Sequence, residues 1–378
     1  MVVGTLLVTR LRVDEGIAAF HKAIAIAPND SRPYQGLAFM LMNLHRSEEA
    51  IEVWRDLLKR IPNDRNAHGK LGSMLMVAKK YSEAIPHLEA VIDADVLPGS
   101  PVRVQLGVAY LGAGETAKAA DMFKKAVETG TVPACLNEIA YTLAEHNLNL
   151  QDAQVYAEKA VQAEEIASSE STLEAQGDGA DRHKWSLASY WDTLGWVHFR
   201  QGNLEKAEKY VRASWMLGQT AVVADHLGQI YEKQGKKPSA IQMYAAALAA
   251  DNGVHQSENT ETRRRLVALA GTKARADSAI VEAREHISQG RTVKVIGVGK
   301  HYGSANLLIL FSAGPKVEQV KFVSGAEELR VAEKAITAAK FDLPFPDDGP
   351  TRVVRSATLF CSQISGCMLA LDPVSNSR

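Results

Sequence analysis

The chain has 378 residues, and its 43 lysines and arginines nearly balance its 44 aspartates and glutamates. This balance excludes a strong whole-chain attraction to nucleic acid or to an acidic membrane. No apolar run approaches the ~20 residues that a membrane-spanning helix needs. Three cysteines are too few for a disulfide framework but allow one local bridge. The composition predicts a folded, helix-rich chain of two or three domains.

Small and bulky apolar residues recur every 34 positions along roughly the first two-thirds of the chain. One series contains Gly16, Phe20, Ala23, Ala50, Trp54, Leu57, Ala84, Leu88 and Val91, and its partner contains Leu37, Ala38, Leu41, Leu71, Gly72 and Leu75. Spacings of three, four and seven place such residues on one face of a helix. The small residues allow two helix backbones to cross closely, and the bulky ones fill the neighbouring groove. Each period therefore predicts a pair of packed helices.

This period and residue pattern resembles the tetratricopeptide repeat (TPR), whose helix–turn–helix units stack into a superhelix that binds polypeptides. The resemblance implies a mostly α fold, a TPR-type helical-hairpin solenoid of about seven units at residues 1–253. The series continues through Leu106-Gly107, Ile139-Ala140, Leu194-Gly195 and Leu227-Gly228. A loop insertion at about 168–187, rich in Ser, Glu, Gly and Asp, interrupts it, and we predict that the centre of this insertion is a mobile surface loop.

The beginning of the chain fits the same pattern shifted back by one period. Subtracting 34 from Leu37-Ala38 gives Val3-Gly4, which predicts that the first unit is truncated and that its first helix is already under way at Met1. Met1–Leu11 fits a repeat helix better than a signal peptide, which has its positive charge first. We therefore expect either the C-terminal piece of a longer protein or a misassigned start.

After residue 253 the period fades. Residues 254–290 predict connecting helices, and residues 291–378 predict a small α+β domain because apolar and polar residues alternate. The predicted strands are Thr292–Val298, Asn306–Ser312, Val317–Val323, Arg352–Cys361 and Cys367–Leu371, with a helix over Gly325–Lys340.

This last segment contains a predicted hairpin with Gly314–Val317 at its turn and a return strand at Val320–Gly325. A predicted helix containing Leu329 and Ala332 follows. They resemble the C-terminal domain of TonB-type energy-transducing proteins. The resemblance implies that fold and a bacterial envelope setting, but no transducing activity, since the family's proline-rich arm and membrane anchor are absent. The tail also resembles those of envelope proteins that carry a transglutaminase-like domain upstream of their repeats.

No motif in the sequence strongly indicates catalysis, phosphate binding or metal binding. Gly297–Lys300 superficially resembles a phosphate-binding loop, but Lys294 stands where that loop needs a glycine and His301 where it needs Ser or Thr. We predict a hairpin turn there. His198 and Cys135 are predicted to be packed core residues. No histidines have metal-ligand spacing with cysteine or carboxylate, and no Gly-x-Ser-x-Gly motif occurs. We therefore predict no catalytic residue, no metal site and no cofactor.

In tetratricopeptide proteins the ligand groove is lined by first-helix residues that flank the packed Leu–small pair. On this chain they are Phe39, Met42, Asn43, Lys70, Ser73, Met76, Gln105, Val108, Asn137, Tyr141, Asp192, Trp196, Phe199, Arg200, Gln229 and Lys233. They predict an apolar groove with polar edges that suits an extended peptide or an amphipathic helix. For Phe39, Met76, Trp196 and Phe199, packing against the next helix is an equally good interpretation.

Cys361 and Cys367 flank what the pattern predicts as a five-residue hairpin loop, Ser362–Gly366. Paired positions on antiparallel strands lie close enough for a disulfide. The alternative is a pair of reduced thiols on opposite faces of the sheet. Because disulfides persist in the periplasm or outside the cell, a bridge would favour an envelope location.

Two functions fit the sequence. The first is a noncatalytic protein-interaction scaffold, envelope-associated, with a protein or peptide partner and no nucleic acid. The alternative is the substrate-presenting or regulatory C-terminal half of a larger enzyme with a transglutaminase-like domain upstream. A periplasmic or envelope location is favoured over a cytoplasmic one. The sequence leaves the ligand and the oligomeric state open.

Overall fold

The computed structural model describes residues 2–92, 101–128, 130, 132–174, 178–250, 256–289, 292–298, 301–313, 316–339, 341, 345–346, 349–364 and 366–371. Within these ranges, the side chains of residues 2–11, 178–182, 256–259 and 288–289 are not described. The chain divides into two compact units, Met1–Cys135 and Leu136–Arg378.

The first unit is built from antiparallel helices. They are α1 (Val2–Ile26), α2 (Ser31–Asn43), α3 (Ser47–Arg60), α4 (Arg65–Val77), α5 (Tyr81–Ile92), α6 (Val102–Gly112) and α7 (Thr116–Glu128), and α8 (Pro133–Glu145) begins at its end. Asp30 and Asp64 cap α2 and α4 by accepting backbone N–H bonds. His45, Lys79 and Gly114 adopt the left-handed conformation in the turns within the three helical hairpins. The residues of the 34-residue pattern form the core, with Leu37, Leu71 and Leu88 fully buried.

Helix α1 differs from the prediction. Val2–Ile26 is one continuous helix, so the expected first helix over Met1–Leu11 and the turn after it do not form a separate hairpin. No glycine, asparagine or proline occurs between Arg10 and Glu15 to end the helix. The second half of α1 still follows the pattern, because the Phe20 ring packs directly over Gly36 of α2.

The second unit begins within α8 and continues the helical hairpins. Its further helices are α9 (Leu150–Ser168), α10 (Asp178–Arg200), α11 (Leu204–Gly218), α12 (Ala221–Lys233), α13 (Lys237–Ala250), α14 (Gln256–Ala270) and α15 (Lys273–Gln289). The second half of the predicted loop insertion at 168–187 is helical, because α10 already begins at Asp178. In its first half, Leu173 is only 3% exposed. Residues 175–177 lie outside the described part.

A five-stranded antiparallel sheet follows the helices in the second unit. Its strands are β1 (Thr292–Val295), β2 (Gly303–Ser312), β3 (Lys316–Gly325), β4 (Arg352–Ser362) and β5 (Gly366–Leu371), in the order β1-β5-β4-β2-β3. The predicted helix over Gly325–Lys340 is shorter than expected, a 3₁₀ turn at Glu327–Val331 followed by α16 (Ala332–Thr337). The hairpin predicted at Gly297–Lys300 is wrong, since β1 pairs with β5 and its connection must cross to β2. Gly299 and Lys300 themselves lie outside the described residues.

The sheet packs against the helices of its own unit. Val353 joins the cluster of Trp191 and Leu187 on α10. Leu173, in the segment between α9 and α10, packs on Leu310 and Val354. Arg355, only 1% exposed, donates a hydrogen bond to the Met216 carbonyl of α11 at 3.3 Å. The segment after α9 is therefore a packing partner of the sheet.

Candidate functional site

The first helices of successive hairpins in the second unit line two adjoining pockets. One pocket of about 330 Å³ lies between α8, α10 and the start of α12, and one of about 300 Å³ lies between α8, α10, α12 and α14. Both are lined by Tyr141 and Val222. Because the pockets share these residues, they form one groove, which we call the α8–α14 groove.

The repeat places chemically similar residues at equivalent positions of this groove. Asn137, Asp192 and Asp225 each lie three residues before the small residue of their helix. All three line a pocket. One residue after the small residue come Tyr141, Trp196 and Gln229, which also line the pockets. Since both positions face the same side of each first helix, the groove lining follows from repeat geometry.

The floor of the groove is a buried aromatic and ionic cluster. The Nδ1 atom of His226 lies 3.0 Å from both carboxylate oxygens of Asp192. The Trp196 ring stacks on His226 at a centroid distance of 4.0 Å and on Phe199 at 4.8 Å. Trp196 Nε1 donates to Glu145 Oε1 at 2.6 Å, and Trp196 is only 3% exposed. Trp196 therefore shapes the groove from below.

Burial and charge act in opposite directions on His226. Burial disfavours the imidazolium and lowers the pKa of His226, but the adjacent Asp192 carboxylate raises it, and the net pKa is higher than usual. Asp225 and Glu145 act in the same direction as Asp192. Acidic groups of α8, α10 and α12 thus favour the charged form of the imidazole.

Several carboxylates line the groove. Asp225 accepts hydrogen bonds from the Thr262 hydroxyl at 2.6 Å and the Gln229 amide at 2.7 Å. Glu138 keeps more than a third of its surface open, yet the surrounding protein partly desolvates it and raises its pKa. Hydrogen bonds from Arg264 lower the pKa of Glu261 to about 2. The lining is therefore acidic as well as apolar.

One buried polar atom in the groove has no partner. The side-chain oxygen of Asn137 is shielded from solvent, and among the described residues it accepts no hydrogen bond. A buried acceptor without a donor costs free energy. Asn137 thus offers a hydrogen-bond acceptor to any donor that enters the pocket.

The predicted contact residues of the first unit lie on α2, α4 and α6. Phe39 is 69% exposed and Met42 41%, while Asn43 and Lys70 are also exposed. Ser73, Met76, Gln105 and Val108 are half-buried. Ser73 Oγ donates to Gln105 Oε1 at 3.4 Å, which joins α4 to α6.

Most of the predicted contact residues of the second unit line the pockets, and two do not. Asn137, Tyr141, Asp192, Trp196, Arg200 and Gln229 line the pockets, whereas Phe199 stacks beneath Trp196 and Lys233 is exposed at the end of α12. Sequence reasoning missed Glu138, Glu145, Asp225, His226 and Thr262 as lining residues. The repeat offset shared by Asn137, Asp192 and Asp225 was the signal that could have found Asp225.

The three cysteines and His198 lie outside the pocket lining. Cys361 and Cys367 face each other on β4 and β5, with Cα atoms 4.0 Å apart, and form a disulfide. Cys135 is a buried thiol outside the disulfide, and His198 is 3% exposed with a pKa lowered by burial. Across the described ranges, no three His, Cys, Asp or Glu side chains come together in a metal-binding arrangement. No helix in the described part is long and apolar enough to span a bilayer.

Comparison with known proteins agrees with the helical pattern. Tetratricopeptide repeat family models match residues 41–100 and residues 224–255. These segments contain α3–α5 in the first unit and most of α12–α13 in the second, so the predicted repeats are confirmed in both units. No curated protein matches the chain.

One of the similar solved structures supports this fold. A tetratricopeptide repeat protein from Parabacteroides merdae is similar with a TM-score of 0.51 at 12% identity, over 70% of this chain and 94% of that one. The Cut9–Hcn1 hetero-tetramer of APC/C gives a TM-score of 0.47 at 12% identity, over 72% of this chain but only 46% of that one. YrrB, a TPR protein with an unusual peptide-binding site, gives 0.38 at 19% identity, over 58% of this chain and 98% of that one. The fold class is thus tetratricopeptide-type helical hairpins followed by a small antiparallel sheet domain.

Proposed function

We propose that this chain is a noncatalytic protein-interaction scaffold that binds an extended peptide or helix in the α8–α14 groove. The observation that supports the proposal is the continuity of the two pockets, which share Tyr141 and Val222. Side chains from four successive first helices line this groove, so a segment lying in it meets several repeats at once. Such contact with successive repeats is how solenoid surfaces bind polypeptides.

The polar groups of the groove are already buried or hydrogen-bonded, which supports a binding function over a catalytic one. His226 would be the natural general base, but it is only 5% exposed and its ring is stacked on Trp196. Asp225 is hydrogen-bonded to Thr262 and Gln229. Groups held in this way shape a surface, whereas an acid–base catalyst needs access to the proton that it transfers.

The proposed contact set follows from this geometry. In the second unit it comprises Asn137, Tyr141, Arg200 and Gln229, with Trp196 and Phe199 as the supporting floor and Lys233 at one edge. In the first unit, Phe39, Met42, Asn43, Lys70, Ser73, Met76, Gln105 and Val108 stay proposed as contact residues of α2, α4 and α6. The exposure of Phe39 and Met42 supports this assignment, because exposed apolar side chains can pack against a partner.

The test is selection of binding peptides from a random display library on the full-length chain. We expect peptides that lose binding when Ser189→Arg and Gln229→Arg introduce bulk into the two pockets. Glu205→Arg, which adds the same side chain to the exposed first turn of α11, is the matched control. Equal binding by the wild type, groove variants and control would place the interaction elsewhere and overturn the proposal.

We also propose an envelope setting. The facing positions of Cys361 and Cys367 support it, because disulfides persist outside the reducing cytosol. The TonB-like pattern of residues 314–344 is the second support, and it comes from the sequence alone. The test is alkylation of protein taken directly from cells and denatured without reductant. Labelling of Cys135 alone is expected, and labelling of all three cysteines would remove the argument.

A further inference from the structure

We infer that the α8–α14 groove takes a cationic segment, one that presents lysine or arginine side chains to its walls. This inference rests on the proposed function and adds the chemistry of the partner. Three observations support it: the charged residues of the lining, the partners of those residues, and one buried acceptor that has no donor among the described residues.

Three carboxylates of the lining form no direct salt bridge among the residues that the structure describes, although Glu145 and Asp225 act on His226 at longer range. Glu138 forms no ion pair there, and Glu145 accepts from the neutral Trp196 indole. Asp225 accepts only from the neutral groups of Thr262 and Gln229. These carboxylates come from α8 and α12 and lie in both pockets. Their charge is therefore spread along the groove.

The remaining acidic residues of the lining are neutralised. Asp192 pairs with His226, and Glu261 pairs with Arg264 at 2.6 Å and with Arg265 at 3.1 Å. Arg200 is the basic lining residue outside these pairs, and its guanidinium donates to the Glu145 carbonyl at 3.3 Å. Three unpaired carboxylates against one arginine leave the groove net negative. The chain as a whole is nearly neutral, so this charge is a property of the groove.

The buried acceptor on Asn137 points to the same chemistry independently of charge. Asn137 lines the pocket that also contains Glu138, and its buried carboxamide oxygen lacks a donor among the described residues. A guanidinium carries five N–H donors and an ammonium three, and neither has an acceptor. A basic side chain would therefore satisfy the amide oxygen and the carboxylates together. An acidic segment would leave the oxygen unpaired and add repulsion.

The apolar components of the groove define how the segment is held. Trp185, Val222 and Ala247 line the pockets next to the acidic groups. Arginine and lysine carry apolar stems that cover such surfaces while their charged ends reach carboxylates. The fitting partner thus alternates basic and small apolar residues along an extended backbone.

The experiment uses three fluorescent peptides of about ten residues, enough to extend roughly 33 Å, on the same Ala/Leu scaffold. They carry arginine, glutamine or glutamate at the same alternate positions. Their affinity for the full-length chain is measured by anisotropy at physiological ionic strength. We expect the arginine peptide to bind about tenfold or more tightly than the glutamine peptide, and the glutamate peptide to bind most weakly.

Variants that each remove one negative charge show which carboxylates produce the preference for arginine. Glu138→Gln, Glu145→Gln and Asp225→Asn keep an acceptor oxygen and are expected to weaken arginine-peptide binding severalfold, with little change for the glutamine peptide. Glu205→Gln on the exposed surface of α11 is the control and is expected to leave both affinities unchanged. Thermal melts of each variant report whether the fold is retained.

The outcomes separate this inference from the proposed function. If the glutamine or glutamate peptide binds as tightly as the arginine peptide, and Ser189→Arg abolishes that binding, the groove is a peptide site and the cationic partner is wrong. If the arginine peptide binds the wild type and all groove variants equally, both ideas are overturned. The charge series on the wild type decides the question even if one variant fails to fold.

Discussion

At the residue scale, the paired helices pack a ring of the second helix onto a glycine of the first. A Cβ placed on Gly107 of α6 would lie 2.5 Å from the Phe123 ring of α7, and one on Gly228 of α12 would lie 2.6 Å from the Tyr244 ring of α13. Phe123 and Tyr244 are buried. The small residues in the 34-residue pattern therefore mark real close approaches, as the sequence predicted.

This packing predicts opposite effects of two alanine substitutions in the first unit. Gly107→Ala forces the Phe123 ring to move, and overpacking costs about 1–3 kcal/mol. Gly69→Ala in α4 meets no atom within 4 Å and is expected to stabilise by about 0.5–1 kcal/mol through helix propensity. Urea unfolding should place Gly107→Ala below Gly69→Ala in stability. Equal stabilisation by both would contradict the close contact.

The His226–Asp192 pair predicts a pH-dependent stability. The folded-state pKa of His226 is raised above its ordinary value of about 6.5. Its contribution is therefore complete below that value and is lost as pH rises through the higher folded pKa. In Asp192→Asn the main charge that raises the pKa of His226 is gone, and only Asp225 and Glu145 still oppose the effect of burial. The stability difference between the wild type and Asp192→Asn should shrink as pH rises above about 6.5.

The measurement is the free energy of unfolding by urea across that pH range. Asp225 and Glu145 also raise the pKa of His226, so part of the dependence should survive in Asp192→Asn. Glu205→Gln serves as the control, and its profile should run parallel to that of the wild type. A stability difference that is constant or grows with pH would show that the pair is not charged in the folded state.

At the element scale, the segment between α9 and α10 connects the helices to the sheet. Arg352 of β4 donates to the Ser169 carbonyl at 3.1 Å, and Lys321 of β3 donates to the Leu173 carbonyl at 3.0 Å. The Leu173 side chain completes the cluster of Leu310 and Val354. A polar composition predicted a mobile loop, but one buried leucine and two backbone carbonyls attach the segment to three strands, β2, β3 and β4.

This attachment predicts that Leu173→Ala destabilises the second unit by about 2 kcal/mol or more, because the substitution removes a buried side chain and leaves a cavity. Ile364→Ala is the control, since Ile364 is fully exposed in the β4–β5 turn, and it should change stability by less than about 0.5 kcal/mol. Urea unfolding and the rate of proteolytic cleavage near residues 169–174 measure the effect. Unchanged cleavage in Leu173→Ala would show that the leucine does not hold the segment.

At the scale of the whole molecule, the division into two units predicts local responses to core damage. Trp54 is 5% exposed in α3, and Trp54→Ala should cost about 3–5 kcal/mol through cavity formation. Stacked repeats interact mainly with their neighbours, so hydrogen exchange should rise in residues 31–92 and much less in residues 221–250. A uniform increase across both ranges would contradict nearest-neighbour coupling.

Much of the helical architecture could be predicted because its determinants are local. Leu37, Leu71 and Leu106 recur with the repeat, and each lies in the core of a first helix. The alternating residues of β4 likewise predicted a strand at Arg352–Cys361, one residue short of its observed end. Prediction was wrong where a local cue was absent or ambiguous, as in α1, where no glycine, asparagine or proline lies between Arg10 and Glu15 to end the helix.

The groove could be predicted only in outline. Tyr141, Trp196 and Gln229 follow from their place next to the small residue, but the burial of Trp196 against the His226 and Phe199 rings does not. The Asp192–His226 pair joins residues of different repeats, and its charge state depends on burial by both helices. Glu145 lines the pocket because α8 ends beside Trp196, which a residue pattern within one helix cannot reveal.

The sequence by itself determined the helices and strands, because each depends on residues that are close together along the chain. The period of the hairpins was visible because the same local pattern repeats every 34 residues. Only the tertiary structure decided that β1 pairs with β5, that Arg355 is buried against α11, and that Leu173 lies under the sheet. These contacts join residues tens to more than a hundred positions apart. Their free energy comes from burial and hydrogen bonding between separate elements, and no local pattern encodes which elements will meet.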